Sequence, residues 1–402
     1  MAPVSHSSTE NPLQEPQEFS IVLGGPLYQL LRRAHLSDDA LTLQYRRVIV
    51  ISLLAWLPLL VLSAFEKRLL AGAAIPFLKD VEVHTKFLLV VPLLVGAELV
   101  VHRRMRFVVR QFLERRLVPE NAMARFNDAI ASAYRLRGSA LAELLLIAFV
   151  YIVGIAIVWR RYTSLEAATW FATPSAAGAR LSLAGMWYGY VSLPFFQFLL
   201  CRWYFRLFIW ARFLWKASRI QMSLIPTHPD GNAGIGFLAN TVYAFSLLAV
   251  AHGALLAGFI AGRIFHLGAR LLDFRIEIAV VLGFMLCVII GPLLLFAPQL
   301  AHAKRAGARE YGTLAQRYVR DFDTKWLRGG ALSSEPLLGS ADIQSLADMN
   351  NSFDIIYKMR IAPVTKEAVV QLAVATLAPV APLVLTMMPL SELAQKLFHV
   401  LA

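Results

Sequence analysis

Residues 237–261 read FLANTVYAFSLLAVAHGALLAGFIA, a run of 25 without one Asp, Glu, Lys or Arg. A helix rises 1.5 Å per residue, so this stretch covers about 37 Å, more than the roughly 30 Å hydrocarbon core of a bilayer. Six further apolar segments extend the pattern: Val48–Leu62, Phe87–Val101, Leu141–Trp159, Gly185–Arg206, Ile276–Pro298 and Ala368–Met388. Backbone polar groups in lipid must be satisfied within the chain, and seven apolar segments of helical length do this as helices. The expected fold is an all-α polytopic transmembrane bundle of about seven spans with cytoplasmic helical extensions.

Composition agrees. Of 402 residues, 58% are hydrophobic and only 16% are charged, against about 25% charged in a soluble domain. The net charge of +13 crowds the ends of the apolar segments. Anionic lipid at the cytoplasmic face is therefore the expected partner, and nucleic acid is not. Cys201 and Cys287 lie inside apolar segments with no Cys-x-x-Cys pair, so neither disulfide nor zinc chemistry is expected. No metal or other cofactor is expected.

Basic residues stay on the cytoplasmic side and set the orientation. They are dense before the first segment (Arg32, Arg33, Arg46, Arg47), after the second (Arg103 to Arg137), after the fourth (Lys216, Arg219) and after the sixth (Lys304 to Lys366). The other loops are poorer or balanced. The expected N-terminus is cytoplasmic, with Val48–Leu62 as an uncleaved signal anchor. Pro379, Pro382 and Pro389 interrupt the last segment, which either crosses with a kink or re-enters.

The chain divides into four parts. Residues 1–45 form a cytoplasmic tail, polar and disordered over Met1–Gln17, with an interfacial helix at Pro26–Leu36. Residues 46–300 form six spans with a basic, helical loop at 103–139, where Phe107, Phe112, Leu117, Phe126 and Ile130 are expected to be buried. Residues 301–366 form a cytoplasmic helical segment. Its Tyr311, Leu314, Tyr318, Phe322 and Trp326 recur at helical steps. Ser340 is placed to cap a second helix there, and Thr365 to cap the last span. Residues 367–402 hold that span and an amphipathic helix at Leu390–Leu401.

One loop has chemical character. Ile225–Leu238 reads IPTHPDGNAGIGFL. Thr227, His228, Asp230, Gly231, Gly234 and Gly236 form either a rigid turn or an anion contact at the start of the fifth span. The Gly-x-x-Gly-x-Gly order is not a dinucleotide fingerprint, and the Lys-Ser/Thr of a phosphate loop is missing. His228 and Asp230 alone are too few to hold a metal. The segment resembles a group of uncharacterised bacterial multi-pass inner-membrane proteins with a Pro-Thr-His-Pro-Asp-Gly loop and a following Gly-x-Gly-Phe-Leu. Asp342–Asp348 and the Pro-rich Leu377–Pro389 share in the resemblance. It covers roughly the C-terminal half and departs at Ala233, where a glycine is expected. The resemblance implies architecture and a bacterial inner membrane, and no activity.

An ionisable group in hydrocarbon costs roughly 2.5–3.5 kcal/mol on insertion scales, so each is a candidate functional residue. Glu98 stands four residues from His102 on one helix face, either as a functional carboxylate or as the partner of a nearby arginine. Arg202 and Arg206 share a face of the fourth span, either snorkelling to headgroups or lining an anion path. His252, Asn240 and Gln197 suit interhelical hydrogen bonds. Pro379 and Pro382 mark a broken helix covered by protein or water.

The expected function is a channel or transporter for a small solute, an anion among the choices. Candidate contacts are Glu98, Arg202, Arg206, His252, Pro379 and Pro382. The alternative is a non-transporting scaffold or sensor that binds a cytoplasmic protein through its helices. A homo-oligomer is expected in either case. No nucleophile–base pair favours a lipid enzyme.

Overall fold

The computed structural model describes residues 19–33, 44–159, 168–174, 180–330, 336 and 340–387. The disorder expected over Met1–Gln17 and the helix expected at Leu390–Leu401 lie outside these residues.

The described chain is mostly helical. Its α-helices are α1 (Pro26–Arg33), α2 (Gln44–Phe65), α3 (Val81–His84), α4 (Val91–Glu114), α5 (Met123–Arg137), α6 (Ala140–Phe149), α7 (Leu183–Trp187), α8 (Leu193–Ala217), α9 (Asn240–Leu267), α10 (Arg275–Ile290), α11 (Ala297–Phe322), α12 (Ala341–Lys358) and α13 (Lys366–Leu377). Wider π-helical turns join α3 to α4 (Thr85–Val90) and α7 to α8 (Tyr188–Ser192). One small antiparallel hairpin pairs Ala172–Thr173 with Arg180–Leu181.

Four helices are long and apolar enough to cross a membrane, or up to six if each of two bent pairs is one span. The four run Tyr45–Phe65, Val81–Glu114, Gly236–Leu267 and Leu271–Leu327. The bent pairs are Glu120–Arg137 with Ala140–Gly154, at 49°, and Lys366–Leu377 with Ala381–Met387, at 54°. Gly185–Arg206, expected as a span, is helical. Its aromatic and polar content, with Gln197 and the arginines, keeps it outside that set.

The helix opened by Gly236 is the centre. Of its most apolar window 72% is buried, against 17% for Leu271–Leu327. Helix α9 packs along α4 on one side and α13 on the other. Residue size explains the closeness: a side chain at Gly253 would collide with the Thr376 carbonyl oxygen and meet Pro379 Cδ at 3.1 Å. Helix α10 lies at the periphery, with Ile276, Val280 and Phe284 exposed. Continuous with it, α11 runs far beyond the apolar part and packs against α12.

Most of the expected core positions hold. Phe112, Leu117 and Phe126 are buried, and Ile130 is half-buried. Phe107 is 52% exposed, because the buried stripe of α4 passes through Met105, Val108, Val109 and Phe112 and leaves Phe107 on the other side. Thr365 caps α13 by accepting from Ala368 N at 3.1 Å. Ser340 precedes α12 without a capping hydrogen bond from its side chain.

Gly253→Val should therefore lower the thermal unfolding temperature of the detergent-purified protein, with a cost of about 1–3 kcal/mol for overpacking. Gly262→Val, two turns on where nothing lies within 4 Å, should change little. Equal effects of the two would remove the close α9–α13 approach as a stabilising contact.

Candidate functional site

Four helices place charged side chains at one level inside the bundle. Glu98 on α4 is 3% exposed, Arg47 at the start of α2 is 2%, and Arg202 and Arg206 on α8 are 5% and 3%. Arg47 Nη2 lies 2.6 Å from Glu98 Oε2, and Arg206 Nη2 2.8 Å from Glu98 Oε1. Arg202 stands between two carboxylates, 3.8 Å from Glu98 and 3.5 Å from Glu143 of α6. Arg206 also stacks over the Trp203 ring at 4.8 Å, whose Nε1 donates to Leu94 O. The expectation that Glu98 pairs with an arginine holds. Snorkelling of Arg202 and Arg206 does not: they turn inward because Glu98 offers a counter-charge in the bundle. Arg212, further along α8, is exposed.

The stretch Phe19–Gly25 lies across this cluster as a strap. Phe19, Ile21 and Val22 are buried. Ser20 Oγ makes a 2.9 Å hydrogen bond with His102 Nδ1, and Ser20 O accepts from Arg137 Nη1 at 2.6 Å. Under the strap is a cavity of about 10 Å³, lined by Arg137, Glu143, Arg202 and Arg206 with Ile21, Val22 and Gly24. Sequence reasoning missed Arg47, Arg137, Glu143 and the strap. Glu143 carries the same signal as Glu98, a carboxylate in an apolar run. Arg47 and Arg137 look like ordinary loop-side charges until folding brings Glu98 and the cavity to them.

A second polar cluster sits about 18 Å along the same helix, twelve residues from Glu98 at 1.5 Å each. Lys86 is 5% exposed and donates to Glu82 Oε1 at 3.2 Å and to the Tyr188 hydroxyl at 3.1 Å. Asp80 accepts from Trp170 Nε1 at 2.8 Å, and Trp56 Nε1 donates to His84 Nδ1 at 3.0 Å. Lys86 and Tyr188 both lie in the π-helical turns, where an extra residue per turn re-aims side chains. Between the two clusters the packing is apolar, with Phe87, Val90, Val91, Leu94, Phe196 and Leu199 all buried.

The glycine loop turns out to carry its own anion. Asp230 Oδ1 accepts from Asn232 N at 2.8 Å and Gly234 N at 3.1 Å, and Oδ2 accepts from Gly236 N at 2.9 Å. Two of these N–H groups lie in the loop and the third, Gly236, opens the helix, so the carboxylate braces the turn from within. Gly231 (φ +63°) and Gly234 (φ +96°) need their freedom, and Ala233 itself adopts φ +51°. Arg115 lies 3.6 Å from the carboxylate, and His228 Nδ1 3.0 Å from it. Arg360 donates to Asn232 Oδ1 and Asp230 O. Thr227 approaches the Tyr311 hydroxyl at 3.5 Å. Burial pushes the Asp230 carboxyl up. The three backbone N–H groups and His228 outweigh it and hold the carboxyl below its ordinary value.

The remaining candidates are not part of the arginine cluster. His252 is satisfied by Leu248 O and the Tyr204 hydroxyl, each at 2.8 Å. Pro379 packs beside Gly253, the next residue, and Pro382 is exposed. Among the described residues no group of three His, Cys, Asp or Glu could hold a metal ion. No protein-family model, curated protein or solved structure matches this chain.

Glu98→Gln should cost about 3–5 kcal/mol, because it leaves buried arginines without their shared counter-charge. Unfolding in detergent measures this, and Glu98→Gln with Arg206→Met should recover part of the loss. An unchanged unfolding temperature for the single variant would show that the pairs hold nothing together.

Asp230 has its folded pKa below the unfolded value of about 3.9. Its stabilising effect is complete above that value and fades as pH falls through the folded pKa. Amide exchange at Asn232, Gly234 and Gly236 should therefore lose protection below about pH 4. Asp230→Asn should remove the pH step and weaken protection already at pH 7. Protection that ignores both acid and substitution would mean the carboxylate does not organise the loop.

Proposed function

We propose that this chain is a multi-pass bacterial inner-membrane protein that passes a small anion across the bilayer, as a channel or transporter. The observation that carries this is the surplus of buried positive charge where α2, α4, α5, α6 and α8 meet. Among the described residues, three buried arginines (Arg47, Arg202, Arg206) and the half-buried Arg137 stand with two carboxylates (Glu98, Glu143). Charge buried in a bundle is costly and marks ion pathways more often than it marks plain structure, and rings of arginine select anions. Two further features support it. The last apolar segment breaks at Pro379–Pro382 against the central helix, and π-helical turns flank the Lys86 cluster.

In this reading the N-terminus is cytoplasmic, all seven segments cross, and anionic lipid meets the basic loops. Exposed apolar side chains of α10 face lipid or another copy in a homo-oligomer. The Glu98 cluster is the inner station and the Lys86 cluster the outer one. The apolar layer around Phe87, Leu94 and Phe196 must part for an ion to pass.

A specific observation also favours the scaffold reading. A groove of about 480 Å³ opens between α11 and α12, lined by Ala315, Val319, Leu346, Met349 and Phe353, and Val319 is 48% exposed. It would receive an apolar helix of a cytoplasmic protein.

Flux in proteoliposomes separates the two. Truncating Glu98 or Arg202 would confound folding with transport, so the variant is Arg202→Lys, which keeps charge and loses the planar fork. Transport predicts chloride flux above that of protein-free vesicles, without potassium flux, and a rate changed about fivefold by Arg202→Lys, the worth of one hydrogen bond. Vesicles that stay tight with folded protein inserted would sink the transport reading. Val319→Asp should then abolish recovery of the partner.

A further inference from the structure

We infer that the space enclosed by Arg137, Arg202 and Arg206 is a binding site for one halide-sized anion, closed by the strap Phe19–Gly25. The inference deepens the transport reading and rests on it for the anion's route, while occupancy itself is measurable without flux.

Three observations converge. The first is charge. Among the described residues, three arginines with side chains at least nine-tenths buried (Arg47, Arg202 and Arg206) meet two carboxylates (Glu98 and Glu143), and the half-buried Arg137 adds a further positive charge. A water molecule could accept their hydrogen bonds but would leave the charge uncompensated. A halide does both.

The second is unmet hydrogen bonding. Arg202 Nη1 is buried, lies 3.8 Å from Glu98 and has no acceptor in hydrogen-bond geometry, whereas Arg206 Nη2 meets Glu98 Oε1 at 2.8 Å. Arg137 Nε also lacks an acceptor. All three side chains line the same cavity. Buried donors left unmet are rare in folded proteins and ask for a group that fills them. Guanidinium N–H groups reach their best energy with a charged acceptor.

The third is shape. The cavity of about 10 Å³ admits one particle of about the size of water. Sulfate and phosphate are larger than that particle. The strap fits closely because it is glycine where it passes the charges. Gly24 (φ +129°) and Gly25 (φ +91°) hold angles that side chains rarely adopt. A Cβ at Gly24 would meet Arg137 Nε at 2.7 Å, and one at Gly25 would meet Glu143 Oε1 at 2.8 Å. Ser20 ties the strap to both Arg137 and His102. Opening the site therefore means lifting this segment, not rearranging the helices.

The test is thermal unfolding of the full chain in detergent, with chloride, bromide or sulfate replacing gluconate at constant ionic strength. Chloride and bromide should raise the unfolding temperature saturably, and sulfate should not. Arg137→Gln, which leaves every Glu98 pair in place, should weaken the halide response about tenfold, one lost charge-assisted contact. Glu143→Gln, which adds to the surplus, should strengthen it. Crystals grown in bromide give a readout free of variants: an anomalous peak among the three guanidinium groups supports the site, and its absence at saturating bromide overturns it. A halide response unchanged by Arg137→Gln also overturns it, even where flux is present. Halide binding without flux supports the site and removes transport.

Discussion

One carboxylate ties the helices around it together. Glu98 meets Arg47 from α2 and Arg202 and Arg206 from α8, and Arg202 carries the link on to Glu143 in α6. Lipid is as apolar as leucine, so burying apolar surface does little to choose one helix neighbour over another. Polar pairs do choose, because a helix rotated or slid by one turn leaves a charge in hydrocarbon. The cluster thus fixes the rotation and depth of three helices around α4. Close packing does the equivalent on the opposite side, where Gly253 of α9 lets the Thr376 carbonyl of α13 approach. Helix α10 lies at the edge, with Ile276, Val280 and Phe284 exposed.

The glycine loop joins this bundle to the helices beyond it. Arg360 N donates to Gly231 O, Asn232 Nδ2 donates to Ala362 O, and Pro226 lies against Gly307 of α11. Movement of the α11–α12 pair therefore pulls on the loop, and the loop begins the central helix. Asp230 keeps it stiff, with three backbone N–H groups on one carboxylate. A stiff connection transmits displacement; a floppy one would absorb it. The same geometry serves gating by a partner on the α11–α12 groove or simple anchoring of those helices.

Much of this was legible in the sequence, and the limits follow from what sequence neighbours can reveal. Segment length and apolar composition mark the long apolar helices, four to six of which are long and apolar enough to cross a membrane, since both are local. Glu98 and the Arg202/Arg206 pair stand out because charges in apolar runs are rare. Asp230-Gly231 signals a turn for the same local reason. Their partners were not legible. Arg47 reaches Glu98 across 51 residues, and Arg360 reaches the loop across more than a hundred, so nothing in spacing connects them. The strap Phe19–Gly25 was read as tail because seven residues have too little periodicity to declare burial. Phe107 was misassigned because its helix has apolar residues on more than one side. Gly185–Arg206 matches the other apolar segments in length, while its aromatic and polar content sets it apart.

Among the described residues, two places offer positive electrostatics to an anion, and they differ in how far the protein neutralises them itself. At the loop, the N–H groups of Asn232, Gly234 and Gly236 find a carboxylate six residues or fewer away. There the motif that looks most like a ligand site is braced by its own carboxylate. In the bundle the opposite holds. Glu98 is shared by three arginines and cannot match them all, Glu143 is the other carboxylate facing Arg202, and Arg137 adds charge from the strap side. A cluster serving stability alone would be expected to balance, since unpaired buried charge costs more than an apolar replacement would. The imbalance is what directs the functional reading to the bundle and away from the loop.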